Sequence, residues 1–183
     1  KYAFVSDVAR VEALYQYGGV YMDTDVEVLK SFNPLLEAQC ILGMEEKEYV
    51  ATSFMAFEKG HPLVKEFLNL YEQLSFLDKK GQIIAGTNVA KLTKMLKEKG
   101  FVQENHYQEL ENGIQIYPKE FFSPYDYINC HYNITENSYC VHYFAVSWMS
   151  KKEQVKKEIK KRIVKILGPE KMNEIREKLW KKN

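Results

Sequence analysis

The strongest constraint on this chain is a glycine pair, Gly18-Gly19, set between two segments of different hydrophobic period. Before it, Val8, Val11, Leu14 and Tyr15 recur at helical spacing, and after it Val20-Tyr21-Met22 is a short continuous apolar run. Glycine takes the left-handed conformation that ends a helix and lets the chain reverse. The pattern therefore predicts a helix over about Asp7–Tyr17 with Ser6 as its N-cap, a sharp turn, and a short buried strand. Asp23-Thr24-Asp25 falls at the carboxyl end of that strand, where open α/β sheets gather their ligands. Val26–Leu29 resumes strand-like alternation before the Asn33-Pro34 break.

The rest of the chain reads as an α/β domain. Strands are expected at Cys40–Met44, Ser53–Phe57, Ile114–Tyr117 and Tyr139–Phe144, and helices at about Pro62–Leu77 and Asn88–Lys99. Residues 119–138 read as an aromatic-rich irregular loop. With 183 residues, 45% apolar, the chain suits one domain with a real core. No apolar run has the length to cross a bilayer, and the first residues lack the pattern of a signal peptide. The three scattered cysteines, Cys40, Cys130 and Cys140, match neither a disulfide framework nor a zinc motif; reduced thiols and a cytoplasmic setting are expected. Asn133-Ile134-Thr135 fits a glycosylation pattern too short to count alone.

Charge divides the chain. Residues 1–150 hold 13 Lys/Arg against 20 Asp/Glu, a net of −7, and residues 151–183 hold 13 against 5, a net of +8. The expected organisation is a main domain over 1–150 and a basic tail of two amphipathic helices split at Gly168-Pro169. Val155, Ile159, Ile163, Ile166 and Leu167 form one stripe; Met172, Ile175 and Leu179 form the other, with Trp180 among lysines. The plainer expectation is that these stripes pack on the main domain with the lysines in solvent. The other is peripheral contact with an anionic membrane surface or with a binding partner, rather than with nucleic acid.

Asp23 and Asp25, one residue apart, would face one site if the segment were extended, since residues i and i+2 project to the same side. Their oxygens suit a hard divalent cation, Mg²⁺ or Mn²⁺, which could bridge the pair to a diphosphate. Taken alone, Asp-x-Asp is also what exposed turn aspartates look like. The setting narrows it: Asp7 and Arg10 are three apart on one helical face, able to pair or to hold a polyhydroxylated ligand together.

On these residues, Ser6-Asp7-x-x-Arg10 through Tyr17-Gly18-Gly19-Val20-Tyr21-Met22-Asp23-Thr24-Asp25-Val26, the chain resembles the DXD-containing sugar transferases of glycosyltransferase family 32. That family includes bacterial capsular polysaccharide enzymes and fungal initiating mannosyltransferases. The donor-site spacing is also similar to that of the clostridial glucosylating toxins. The dense likeness covers about Ala3–Leu36; a looser one continues through Gly60-His61-Pro62, Gly86-Thr87, Ile116-Tyr117-Pro118, His142 and Ser147-Trp148.

The resemblance implies a GT-A-like mixed sheet, a UDP- or GDP-sugar donor, a saccharide or other hydroxyl acceptor, and retention of anomeric configuration, most naturally in bacterial surface polysaccharide synthesis. It implies that Asp25 ligates the metal directly and that Asp23 holds the donor and supports the metal through water. By the same resemblance Asp7 and Arg10 bind sugar hydroxyls, Tyr21 lies against the nucleoside, and Ser147 and Trp148 close over the diphosphate. His142 would reach the metal or phosphate, although a lone histidine on an apolar strand is also an ordinary core residue. The chain departs from the family at Gly86-Thr87, where Gly-Pro is usual, and at His142-Tyr143, where two histidines are common. The family also opens with a strand–helix–strand segment ahead of the Asp7 helix, so a fragment of a longer protein is expected.

Two other classes compete. A haloacid dehalogenase-type phosphatase also sets Asp-x-Asp after an apolar strand, but normally has Thr or Val where this chain has Glu27, and it needs a later acidic pair. A non-catalytic carbohydrate-binding or truncated domain would bind without turnover. No nucleophile for a double displacement is evident; Glu58, His61 and Asp126 could serve on the acceptor side, but surface or turn roles are the plainer expectation for each.

Overall fold

The computed structural model describes residues 2–46, 48–73, 86–126, 131–145, 151–168, 170–172 and 174. Its centre is a mixed sheet flanked by helices. Helix α1 (Tyr2–Tyr17) leads into β1 (Gly19–Met22); β2 (Val26–Val28), β3 (Cys40–Glu46), β4 (Tyr49–Val50) and β5 (Phe54–Phe57) follow. Helices α2 (Pro62–Gln73) and α3 (Asn88–Glu98) precede β6 (Gln108–Leu110), β7 (Ile114–Tyr117), the single-turn α4 (Lys119–Phe122), β8 (Tyr125–Asp126), β9 (His131–Tyr132), β10 (Cys140–His142) and α5 (Lys151–Leu167). The main sheet runs β1-β5-β3-β7-β6, with β4 also on β3. Only the β3–β7 pair is parallel among these. β2 pairs with β10 in a separate antiparallel ribbon, and β8 pairs with β9.

Strand alternation sorts side chains to two cores. Cys40, Leu42, Met44, Met55, Phe57, Ile114 and Ile116 meet Val11 and Leu14 of α1, Leu63, Val64 and Phe67 of α2, and Leu92 and Leu96 of α3. On the other face Ile41, Phe54 and Ala56 meet Phe122 and Cys140, with Val20, Met22, Val26 and Phe32 packed around them. Stacking of Phe54 on Phe122, with ring centroids 4.1 Å apart, closes this second core. It depends on Gly43, where a Cβ would lie 2.5 Å from Phe122 Cδ2. Cys40 and Cys140 are buried free thiols; burial pushes both up, Cys140 to about 12.

Most expected elements are present, with informative differences. Ser6 lies inside α1 and not at its N-cap, because nothing in Tyr2–Val5 interrupts the helix and the Ser6 carbonyl is engaged by Arg10 Nε at 3.3 Å. β1 is half-buried rather than buried, since it is the last strand of the described sheet on its side. The 119–138 region contains α4 and the β8–β9 ribbon. β4 and β6, of two and three residues, are too short to leave a periodic signal.

The tail differs most. In α5 the stripe expected to pack inward faces solvent: Val155, Ile159, Ile163, Ile166 and Leu167 are exposed, and the buried apolar residue is Val164. The expected second stripe falls largely outside the described residues, as do Cys130, Ser147, Trp148, Trp180 and the end of the helix expected to reach Leu77. Among the described residues no helix is long and apolar enough to cross a membrane.

Candidate metal and donor site

The site begins at the end of α1. Gly18 adopts φ +67° and its N–H donates to the Leu14 carbonyl at 2.9 Å, closing the helix. A Cβ there would lie 2.7 Å from Lys59 N and 3.0 Å from Phe57 O, so both the conformation and the space require glycine. The reversal lays β1 antiparallel on β5 and turns Tyr21 toward the helical side of the sheet. Tyr21 and Asp23 share a side, as strand alternation demands, and the Tyr21 hydroxyl donates to Asp23 Oδ1 at 2.7 Å.

Arg10 organises this part of the site from below. It is 8% exposed; Nη2 lies 3.1 Å from Asp7 Oδ1, and Nη1 lies 3.0 Å from Asp23 Oδ1. Nη1 also donates to the Thr52 carbonyl at 2.9 Å, and the guanidinium sits 4.7 Å from the Tyr21 ring centre. One planar cation thus fixes two carboxylates, a loop carbonyl and an aromatic face, which a point-charge lysine could not do. Asn88, at the start of α3, adds a 2.7 Å hydrogen bond to Asp7 Oδ1. Burial pushes the Asp7 carboxyl above its ordinary value, Arg10 opposes this, and the Asp23 charge adds to it. Burial and the bond to Asp23 likewise raise Tyr21, and burial lowers the neighbouring Lys91 despite the attraction of Asp7.

Asp25 reaches the site by a different route from the extended geometry expected for an Asp-x-Asp run. Asp23–Val26 is a turn, closed by Val26 N–H donating to the Asp23 carbonyl at 3.1 Å. The carboxylate is then held by the strand that pairs with the far side of the turn. β10 sets His142 opposite Val26, and His142 Nε2 lies 3.3 Å from Asp25 Oδ1. Tyr143 N–H donates to the Asp25 carbonyl at 3.0 Å and Ala145 N–H to Asp25 Oδ2 at 2.7 Å. Between them Phe144 adopts φ +51°, uncommon for an aromatic residue, and its ring packs 4.0 Å from the His142 ring.

Asp23, Asp25 and His142 each offer a ligand atom, and these lie within 4.8 Å of one another. With metal–ligand bonds of about 2.1 Å, any two ligand atoms on one ion lie within roughly 4.2 Å, so small side-chain adjustments would let the three converge on one cation. Two carboxylates and an imidazole form a donor set fitting a divalent ion.

Of the residues expected from the sequence, Asp7, Arg10, Tyr21, Asp23, Asp25 and His142 are brought together; Ser147 and Trp148 lie outside the described residues. His61 is buried away from this cluster, with Nε2 2.9 Å from the Asn112 carbonyl and Nδ1 accepting from Leu63 N–H at 3.2 Å as it caps α2. Sequence reasoning missed Asn88, whose signal was its place just after Gly86-Thr87, and the Thr52 carbonyl, which left no side-chain signal. Thr87 caps α3, its hydroxyl accepting from Ala90 N–H at 3.2 Å, and so aims Asn88 at Asp7.

Residues 1–42 match the family described as "Glycosyltransferase sugar-binding region containing DXD motif". The chain is 30% identical over 125 residues to lactosylceramide 4-alpha-galactosyltransferase of Mus musculus, covering 68% of this chain and 33% of that protein. It is 34% identical over 122 residues to the uncharacterized protein At4g19900 of Arabidopsis thaliana, covering 65% and 18%. Inositol phosphoceramide mannosyltransferase 3 of Schizosaccharomyces pombe is 31% identical over 71 residues, covering 39% and 20%. The chain spans about a third of the galactosyltransferase and less of the other two. No solved structure is a significant match. The family match and the two named transferases are likenesses of part of each chain, and the matched segment contains Asp7, Arg10, Tyr21, Asp23 and Asp25.

Proposed function

We propose that this chain carries the donor site of a metal-dependent, retaining glycosyltransferase built on a GT-A-like fold, moving a sugar from a UDP- or GDP-sugar to a hydroxyl acceptor. The observation that carries the reading is the convergence of Asp23, Asp25 and His142 at the end of β1, within and beside the segment of the family match. The mixed donor set favours Mn²⁺ over Mg²⁺, since imidazole is a poor ligand for the harder ion. Asp25 and His142 would hold the ion directly, with Asp23 contributing directly or through water. A bound cation supplies counter-charge for the departing nucleoside diphosphate.

The chain's own residues position and orient. Arg10 and the Tyr21 hydroxyl both engage Asp23 Oδ1, which leaves Oδ2 for a ligand. Asp7, held by Arg10 and Asn88, presents a carboxylate to sugar hydroxyls, and Tyr21 would lie against the nucleoside. Arg10 itself acts from beneath. Retention accords with the alpha linkage in the galactosyltransferase name, since an α-linked sugar nucleotide delivers that product with unchanged configuration. Same-face attack, with the leaving diphosphate taking the acceptor proton, asks the protein mainly for positioning and charge stabilisation. The acceptors in the relatives' names, lactosylceramide and inositol phosphoceramide, and the surface polysaccharide expected from the sequence share one demand, a saccharide or lipid-linked hydroxyl.

The test is titration calorimetry with Mn²⁺, followed by thermal melts with UDP- and GDP-sugars. Mn²⁺ should bind the parent and not Asp25→Ala. Ligand at about a hundred times its Kd should add about 2.7 kcal/mol of stability. Equal Mn²⁺ binding by Asp25→Ala, or donor binding and turnover indifferent to the metal, would overturn the assignment.

A further inference from the structure

We propose that α5 lays its outward apolar stripe on an anionic lipid surface. Val155, Ile159, Ile163 and Ile166 are 57%, 53%, 41% and 81% exposed. At about 100° per residue they fall within an arc of roughly 80°. Val164, 5% exposed, lies about 180° from Val155, so the buried apolar residue of the helix is on the side opposite the stripe. Four branched aliphatic side chains in line on one face form a contiguous apolar strip, unlike the isolated exposed hydrophobics that any surface carries.

Charge selects the occupant. The 17 residues of α5 contain eight Lys/Arg and two Glu, a net of +6. Lys156 and Arg162 border the stripe on its two sides, Arg162 paired only loosely with Glu158 at 3.7 Å. A second copy of the chain docking the same face would set +6 against +6, whereas an anionic lipid surface complements both the charge and the apolar strip. The long aliphatic stems of the lysines let their ammonium groups reach the headgroups while the isoleucines enter the boundary below. This surface does not involve the Asp23–Asp25–His142 cluster and stands whether or not that cluster binds a metal.

The test is flotation of the purified chain with phosphatidylcholine vesicles and with vesicles containing about 30% anionic phosphatidylglycerol, at about 0.1 M and 0.5 M salt. Partition onto the anionic vesicles should exceed that onto neutral ones by about tenfold and fall several-fold at the higher salt. The double substitution Ile159→Gln with Ile163→Gln should lower it about tenfold more. Its thermal midpoint should be unchanged, because both side chains are already in water. Failure to float with anionic vesicles, or undiminished flotation of the double variant, would overturn the proposal. So would a dimer in sedimentation velocity that the double substitution turns to monomer, since the stripe would then join two copies of the chain.

Discussion

Arg10→Met tests whether one guanidinium organises the donor side of the site. Methionine keeps much of the side-chain volume and the contact with Tyr21, so packing changes little. What disappears is the charge 3.1 Å from Asp7 and 3.0 Å from Asp23, together with the donor to the Thr52 carbonyl. Removing one partner of a buried ion pair costs about 3–5 kcal/mol, because the remaining charge is left uncompensated. Here the Asp7 and Asp23 side chains keep 13% and 27% exposure, so water recovers part of that cost and about 2–3 kcal/mol is expected. For a chain of this length the midpoint of thermal unfolding should fall by roughly 5–10 °C. Arg10→Lys, which keeps the charge but not the fork, should lose about half as much. The pH dependence separates electrostatics from packing. In Arg10→Met the Asp7 carboxyl, already raised by burial, rises further, so the deficit is largest where Asp7 is ionised and narrows as pH falls through its folded value. Urea denaturation at several pH values reads both quantities. A deficit below about 0.5 kcal/mol at neutral pH, or one that does not narrow in acid, would refute the reasoning.

Asp7→Asn should show the converse. Because burial outweighs Arg10 and raises the folded value, ionisation of Asp7 costs stability that is lost as pH rises through that value. The Asn variant should therefore match the parent in acid and equal or exceed it near neutrality, by denaturant titration, while losing affinity for a sugar nucleotide. Gly18→Ala forces φ +67° on a residue whose Cβ meets the backbone of Lys59 and Phe57, and should cost about 2–3 kcal/mol. Gly19→Ala, at φ +96° with no atom within 4 Å, carries the backbone strain alone and should cost about half of that in the same melts.

The half of the site formed by Asp7, Arg10, Tyr21 and Asp23 was legible because its geometry is local. Helical spacing puts Asp7 and Arg10 on one face, strand alternation puts Tyr21 and Asp23 on one side, and the glycines fold the two segments together. An Asp-x-Asp run suggests an extended pair, yet Asp23–Val26 is a turn, because local pattern cannot say which later strand will pair beyond it. The partners of Asp25 come from β10 and the Tyr143–Ala145 backbone, which no nearby residue announces.

By itself, then, the sequence determined the helix–glycine–strand unit and the presence of an acidic pair at its end, since short-range sterics and side-chain period suffice for these. Tertiary structure alone decided that His142 meets Asp25, that Asn88 steadies Asp7, and that Arg10 is buried beneath the pair. It also decided the direction of α5. An amphipathic period specifies an apolar stripe but not whether that stripe meets a core or a solvent boundary; only tertiary structure makes that choice, and here the stripe is exposed and Val164 is the buried residue.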